Sequence, residues 1–285
     1  MHPEHDHAHD PAHAAHADRL LAQHSQALRA RFPLPATQVS RSQRPRRLAM
    51  ATALLVLVSG TLLWLDPAYR SERLVSQIGQ RNTATLADGS TITLNTDSAL
   101  DVSWHLRSRR VTLERGQALF DVSHATWRPF SVEAGNTRVS VVGTLFEVWR
   151  QPESVRVTVL RGKVRVDNLA VAAPPAYLVA DQQIASAAAG LTPVTQVDAA
   201  SSMAWKDGRL VFDHTPLRQA LQELQRYTRA RIALPDPQVG ALQLSGVFDT
   251  DRADALLELL PGILPVTLGR NAQDEIEVRK LAAKK

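Results

Sequence analysis

The residues best suited to chemistry lie at the start of the chain. His2, His5, His7, His9, His13 and His16 stand among Glu4, Asp6 and Asp10. Imidazole and carboxylate groups are common ligands of divalent metals. Residues 1–17 offer nothing that could pack a shell around an ion. The favoured reading is therefore a solvated tail with incidental metal affinity, and no cofactor or metal is assigned. Asp249, Asp251 and Asp254 hint at a calcium loop, but an EF-hand would need Gly where Asp254 stands and Glu where Leu260 stands. These aspartates read instead as helix-start residues, favourable near the positive end of a helix dipole. His105 and His124 are isolated and read as surface or core histidines. No P-loop, G-x-S-x-G elbow, H-E-x-x-H or G-x-G-x-x-G is present. The chain also has no cysteine, which excludes disulfides, thiolate zinc sites and a cysteine nucleophile. The expectation is a protein that works by contact, not an enzyme.

One stretch organises the elements around it. Residues 48–65, LAMATALLVLVSGTLLWL, carry no charge. As a helix they reach roughly 27 Å, close to a hydrocarbon core of about 30 Å. Arg41, Arg44, Arg46 and Arg47 precede the run, and Asp66 and Pro67 follow it. That asymmetry places the N-terminal side in the cytoplasm, with Arg46, Arg47 and Trp64 as the flanking anchors. A cleaved signal peptide would need a shorter leading region and a small-x-small cleavage site. A buried core helix would show a polar face, and a twin-arginine signal fits Leu48-Ala49-Met50 poorly. The expected organisation is a cytoplasmic tail over 1–47, a transmembrane helix over 48–65, and the rest on the far side of the membrane. The net charge of +5 comes largely from six arginines between Arg29 and Arg47, which suits anionic lipid. No zinc finger or aromatic-rich RNA motif argues for nucleic acid.

Within the tail, Leu20, Leu21, His24, Leu28 and Phe32 fall at helical spacing after a capping Asp18, and Pro33 and Pro35 end the pattern. A helix this short is marginal alone. Its stripe would rest on anionic lipid or on a docked protein.

Residues 66–80 read as an outer juxtamembrane segment, and from 82 to 184 the pattern is one of short strands. Asp88-Gly89 between alternating runs is a hairpin signal. Further runs are punctuated by Gly116, Gly135-Asn136, Gly143 and Arg161-Gly162. Closely spaced strands without helical patterns between them predict an all-β antiparallel sandwich or roll over 66–185, with Phe120, Phe130 and Phe146 in its core. Residues 186–204, rich in Ala, Ser and Thr, read as a linker. Residues 205–285 predict a small α+β module of order βαββαββ. Thr215 would cap its first helix, with Pro216 at the first helical position. Leu217, Ala220, Leu221, Leu224 and Tyr227 form that helix's apolar stripe, and Pro261-Gly262 would stop the second helix.

Five blocks then resemble a known family. They are Leu86 to Asn95 (LADGSTITLN), Gly116 to Val122 (GQALFDV), Arg128 to Ala134 (RPFSVEA), Val142 to Val148 (VGTLFEV) and Val159 to Val164 (VLRGKV). In this order they resemble the FecR family of cytoplasmic-membrane regulators of iron-uptake signalling. Leu210-Val211-Phe212, Thr215-Pro216-Leu217 and Leu244 to Phe248 (LSGVF) resemble the family's C-terminal module. That module is similar to the periplasmic signalling domain of secretins and TonB-dependent transporters.

The resemblance implies a signal transducer. A loaded outer-membrane TonB-dependent transporter contacts the periplasmic part, and the tail restrains or releases an extracytoplasmic-function sigma factor. The 47-residue tail departs from the family's longer, Trp-bearing cytoplasmic domain. Leu20, Leu21, Leu28 and Phe32 are the candidate sigma-docking face. Leu242, Leu244, Ser245 and Val247 are candidates for transporter contact by strand addition, or simply interior sheet. The alternative function is an envelope adaptor that binds transporter or secretin components without any sigma factor.

Overall fold

The structure is a computed structural model that describes residues 19–20, 22–25, 27, 30–31 and 44–281, with the side chains of 44–48 and 63 excepted. In the tail, Leu20 is helical and exposed. Leu21, Leu28, Phe32 and the six N-terminal histidines lie outside the described residues, as do the side chains of Arg46 and Arg47.

Helix α1 runs over Arg44–Leu65, 22 residues. Its described large apolar side chains are exposed, Val56 at 71% and Trp64 at 80%. Among the described residues, no helix is long and apolar enough to cross a membrane. The expected span at 48–65 includes Leu48 and Leu63, which fall outside that description. Asp66 ends the helix in the left-handed conformation, φ +43°, and Pro67 prevents its continuation.

The expected juxtamembrane segment is a strand. β1 (Ala68–Val75) pairs antiparallel with β4 (Ala99–His105). The predicted hairpin is present as β2 (Asn82–Thr85) and β3 (Thr91–Leu94), with Gly89 at φ +82° in the turn. Gly116 does not separate two strands as expected. β5 is one strand over Arg109–Asp121, and Gly116, at φ +82°, is the corner within it. Before the corner β5 pairs with β4, and after it with β3 and β8 (Leu145–Arg150). A Cβ at Gly116 would stand 2.2 Å from Ser98 Oγ, so only glycine fits.

One layer contains β1, β4, the first half of β5, β6 (Phe130–Ala134), β7 (Thr137–Val141), β10 (Val164–Asn168) and β11 (Ala176–Leu178). The other contains β2, β3, the second half of β5, β8, β9 (Ser154–Arg161) and β12 (Gln182–Ala187). The pairing is antiparallel as expected except between the first half of β5 and β6, which run parallel because the second half of β5 carries the chain through the other layer before it returns. Phe120, Phe130 and Phe146 fill the core, with the Phe120 and Phe146 rings stacked at 5.2 Å.

Residues 186–204 are folded, not a free linker. β13 (Gly190–Leu191) and β14 (Thr195–Gln196) continue the second layer, and α2 (Ala199–Ser202) follows, capped by Asp198. Ala199 and Met203 are buried in the core of the C-terminal module. There β15 runs over Arg209–Pro216, longer than expected, so Thr215 stays in the strand and Pro216 takes the cap position of α3 (Leu217–Leu224). The predicted stripe from Leu217 to Tyr227 is buried. β16 (Ile232–Ala233) and a short α4 (Pro237–Gly240) lead to β17 (Gln243–Asp249). Asp249 caps the turn before α5 (Ala253–Ile263), which continues through Pro261 instead of stopping there. β18 (Val266–Arg270) and β19 (Ile276–Lys280) finish the chain. β15 pairs with β17, and β19 lies between β16 and β18.

Candidate interaction interface

The seam between the sandwich and the C-terminal module is built of buried polar residues. Glu147 belongs to β8 between Phe146 and Val148, where strand alternation should turn it to solvent. Instead the indole of Trp205 covers it, Nε1 donating to Glu147 Oε2 at 2.6 Å, and the carboxyl is only 2% exposed. Burial pushes the Glu147 carboxyl up to about 7, against hydrogen bonds from Trp205 and Gln117 and the attraction of Arg226.

Beside it, Arg226 Nη2 donates to Gln117 Oε1 at 2.6 Å and Nη1 to Glu223 Oε1 at 2.6 Å. Its guanidinium lies over the Trp149 ring, 4.4 Å from the centroid. Asn95 Nδ2 donates to Gln117 Oε1 at 2.8 Å and to the Tyr227 hydroxyl at 2.7 Å. Burial drives the Tyr227 hydroxyl above the usual phenol range. Thr96 Oγ1 donates to the Arg226 carbonyl at 2.8 Å, and Arg81 Nη1 to the Trp205 carbonyl at 3.0 Å. A cavity of about 170 Å³ opens beside Glu147, lined also by Arg156, Arg209 and Glu223.

This arrangement orients two modules; it holds no nucleophile–base pair. Buried polar groups that satisfy one another fix a single geometry, because any other leaves them unpaired. Nothing in the sequence marks Glu147, Gln117 and Asn95 as a group, since their partners are distant in the chain. Tyr227 was visible only as the last residue of an apolar stripe.

The transporter-contact candidates divide. Leu244 is buried and Leu242 half-buried in the module core, whereas Ser245 and Val247 face outward, Val247 60% exposed. The Ser245 hydroxyl accepts from the His214 backbone at 2.9 Å. β17 pairs only with β15 among the described residues, so its other edge is unpaired. The aspartates near 250 are helix-start residues, as expected: Asp249 accepts from the Asp251 backbone at 3.0 Å, and Asp254 from Thr228 Oγ1 at 2.6 Å. No group of three or more His, Asp or Glu among the described residues could hold a metal ion. His105 is buried beside Ser103 Oγ and His124 is exposed.

The fold has relatives. Two crystal structures of a candidate anti-sigma factor from Parabacteroides distasonis ATCC 8503 are similar, each at TM-score 0.61. They are 25% and 26% identical and cover 75% and 74% of this chain and 100% of their own. The likeness thus extends well beyond the sandwich. No curated protein matches the sequence. Residues 72–165, the stretch that holds the corner at Gly116 and the core of Phe120, Phe130 and Phe146, match the FecR protein family.

Proposed function

We propose that this chain is a single-pass regulator of the bacterial inner membrane that controls an extracytoplasmic-function sigma factor. The observation that carries the reading is the FecR sandwich over residues 72–165, joined to a fold shared with a candidate anti-sigma factor at 25% identity. The span at 48–65 forms part of the proposal. It rests on eighteen uncharged residues in sequence and on a helix whose described large apolar side chains are exposed.

In this reading the N-terminus is cytoplasmic and the sandwich and C-terminal module are periplasmic. The module resembles the signalling domain of TonB-dependent transporters and secretins, and the open edge of β17 accepts a strand from such a transporter. The signal then concerns iron uptake. Leu20, Leu21, Leu28 and Phe32 form the face that docks the sigma factor. One span carries little information alone, so the signal passes through docking, association or cleavage, and the protein acts as a binding partner and not a catalyst.

Transcript levels in a deletion strain, with and without iron limitation, test the function. A regulon that changes with deletion and loses its response to iron supports the reading; an unchanged transcriptome refutes it. Co-purification of the sigma factor should be lost when the four tail residues become Ser, and retention would refute that face. Val247→Asp should block induction without unfolding the module. Normal induction would refute the β17 edge.

A further inference from the structure

One end of the first sheet layer gathers features that the proposed signalling does not use. Register places the start of β1, the end of β4, the starts of β5 and β6, the end of β7 and the start of β10 at this one end. Exposed apolar side chains crown it: Tyr69, Leu106, Trp127 and Tyr177. Trp127 is 93% exposed in the loop before β6, where a soluble surface gains nothing from an indole. Arg107, Arg110 and Lys163 are exposed among them. The carboxylates there are committed. Asp66 is buried under the Arg107 backbone, 2.9 Å, and Ser108 Oγ, 2.8 Å, with Arg110 at 3.4 Å. Asp88 is bound to the buried Arg109. Donors are also in excess, because Trp104 Nε1, Arg109 Nη2 and Arg128 Nε are buried with no acceptor among the described residues.

Asp66 also fixes where this end must be. It is the residue after α1, and it holds the turn at 106–108 within hydrogen-bond reach. The headgroup layer on each side of the hydrocarbon is about 5–7 Å deep. A turn pinned beside the last helical residue therefore lies inside that layer wherever the helix spans.

We propose that this end of the sandwich is a membrane-docking face: Trp127, Leu106 and Tyr69 enter the outer headgroup region of the bilayer, and Arg110 and Lys163 select anionic lipid. The proposal rests on the single-span reading above. Aromatic rings with cationic neighbours are the side chains that bilayer interfaces favour. Docking would fix the direction in which the C-terminal module is presented.

The full-length chain in vesicles tests this. It has no cysteine, so single nitroxide labels can be placed by Thr126→Cys beside Trp127, Glu153→Cys in the β8–β9 turn, and Val56→Cys in the helix. Relaxation by oxygen and by a water-soluble nickel chelate reports depth. In vesicles of phosphatidylcholine with phosphatidylglycerol, the label at 126 should be about fivefold less accessible to nickel than the label at 153, and less so in phosphatidylcholine alone. Trp127→Ser should return it toward the value at 153. Equal exposure at 126 and 153, with the label at 56 deep in hydrocarbon, overturns docking while the span stands. A label at 56 in water overturns the span, and this proposal with it. Shielding at 126 that persists in detergent with spin–spin broadening means that a second copy covers the face, and overturns the lipid assignment.

Discussion

Replacing Glu147 by Gln should make this protein more stable and less sensitive to pH. The carboxyl is buried on β8 under Trp205, and burial raises it from the usual 4.5 to about 7. The native state therefore holds its proton more tightly than the unfolded chain, where the group is solvated. Between pH 4.5 and 7 the native state binds more protons, so stability falls as pH rises. It is fully present below 4.5 and lost by the time pH has passed 7. At about 1.36 kcal/mol per pH unit, that interval corresponds to roughly 3 kcal/mol as an upper bound. For a folded region of this size, that is a fall in Tm of about 6–12 °C. Glutamine keeps an oxygen to accept from the Trp205 indole and carries no charge to desolvate. The full-length chain in detergent should show a Tm that drops from pH 5 to pH 8, and the E147Q chain should lose most of that drop. Calorimetry at both pH values, with Trp fluorescence as a second probe, measures it. A parent Tm that is flat over this interval, or an E147Q chain with the parent's slope, would refute the claim that the seam buries a titrating carboxyl.

Asp88→Asn should cost about 3–5 kcal/mol, because Arg109, 1% exposed, would keep a buried charge without its counter-ion. Burial raises the Asp88 carboxyl, but the hydrogen bonds from Arg109 and Ser90 outweigh it and leave it below its usual range. Its contribution is present above the usual carboxylate range and lost as acid protonates the group, the opposite sign to Glu147; urea titration from pH 6 to pH 3 reads both. Gly116→Ala should destabilise by at least about 2 kcal/mol or prevent folding, since a Cβ would strike Ser98 at a positive φ; soluble yield and Tm close to the parent would contradict it. Phe146→Ala, deleting a fully buried ring stacked on Phe120, should cost about 3–5 kcal/mol in denaturant unfolding.

What could be read locally was read from the sequence. The Asp88-Gly89 hairpin and the stripe from Leu217 to Tyr227 each depend on residues close together in the chain, so their pattern shows in the sequence itself. The FecR blocks were legible for the same reason. Gly116 was visible as a glycine but misread as a break, because its role as a corner depends on Ser98, which approaches from β4's entry. The stretch at 186–204 looked like a linker from its small polar residues, yet its Ala199 and Met203 are buried by elements found later in the chain. Glu147 shows the limit most clearly. Alternation in β8 assigns it to water, and only the docking of Trp205, 58 residues away, removes the water. Sequence determines which faces are apolar; which polar groups those faces enclose is decided when distant elements pack, because burial belongs to the assembled structure and not to any single strand.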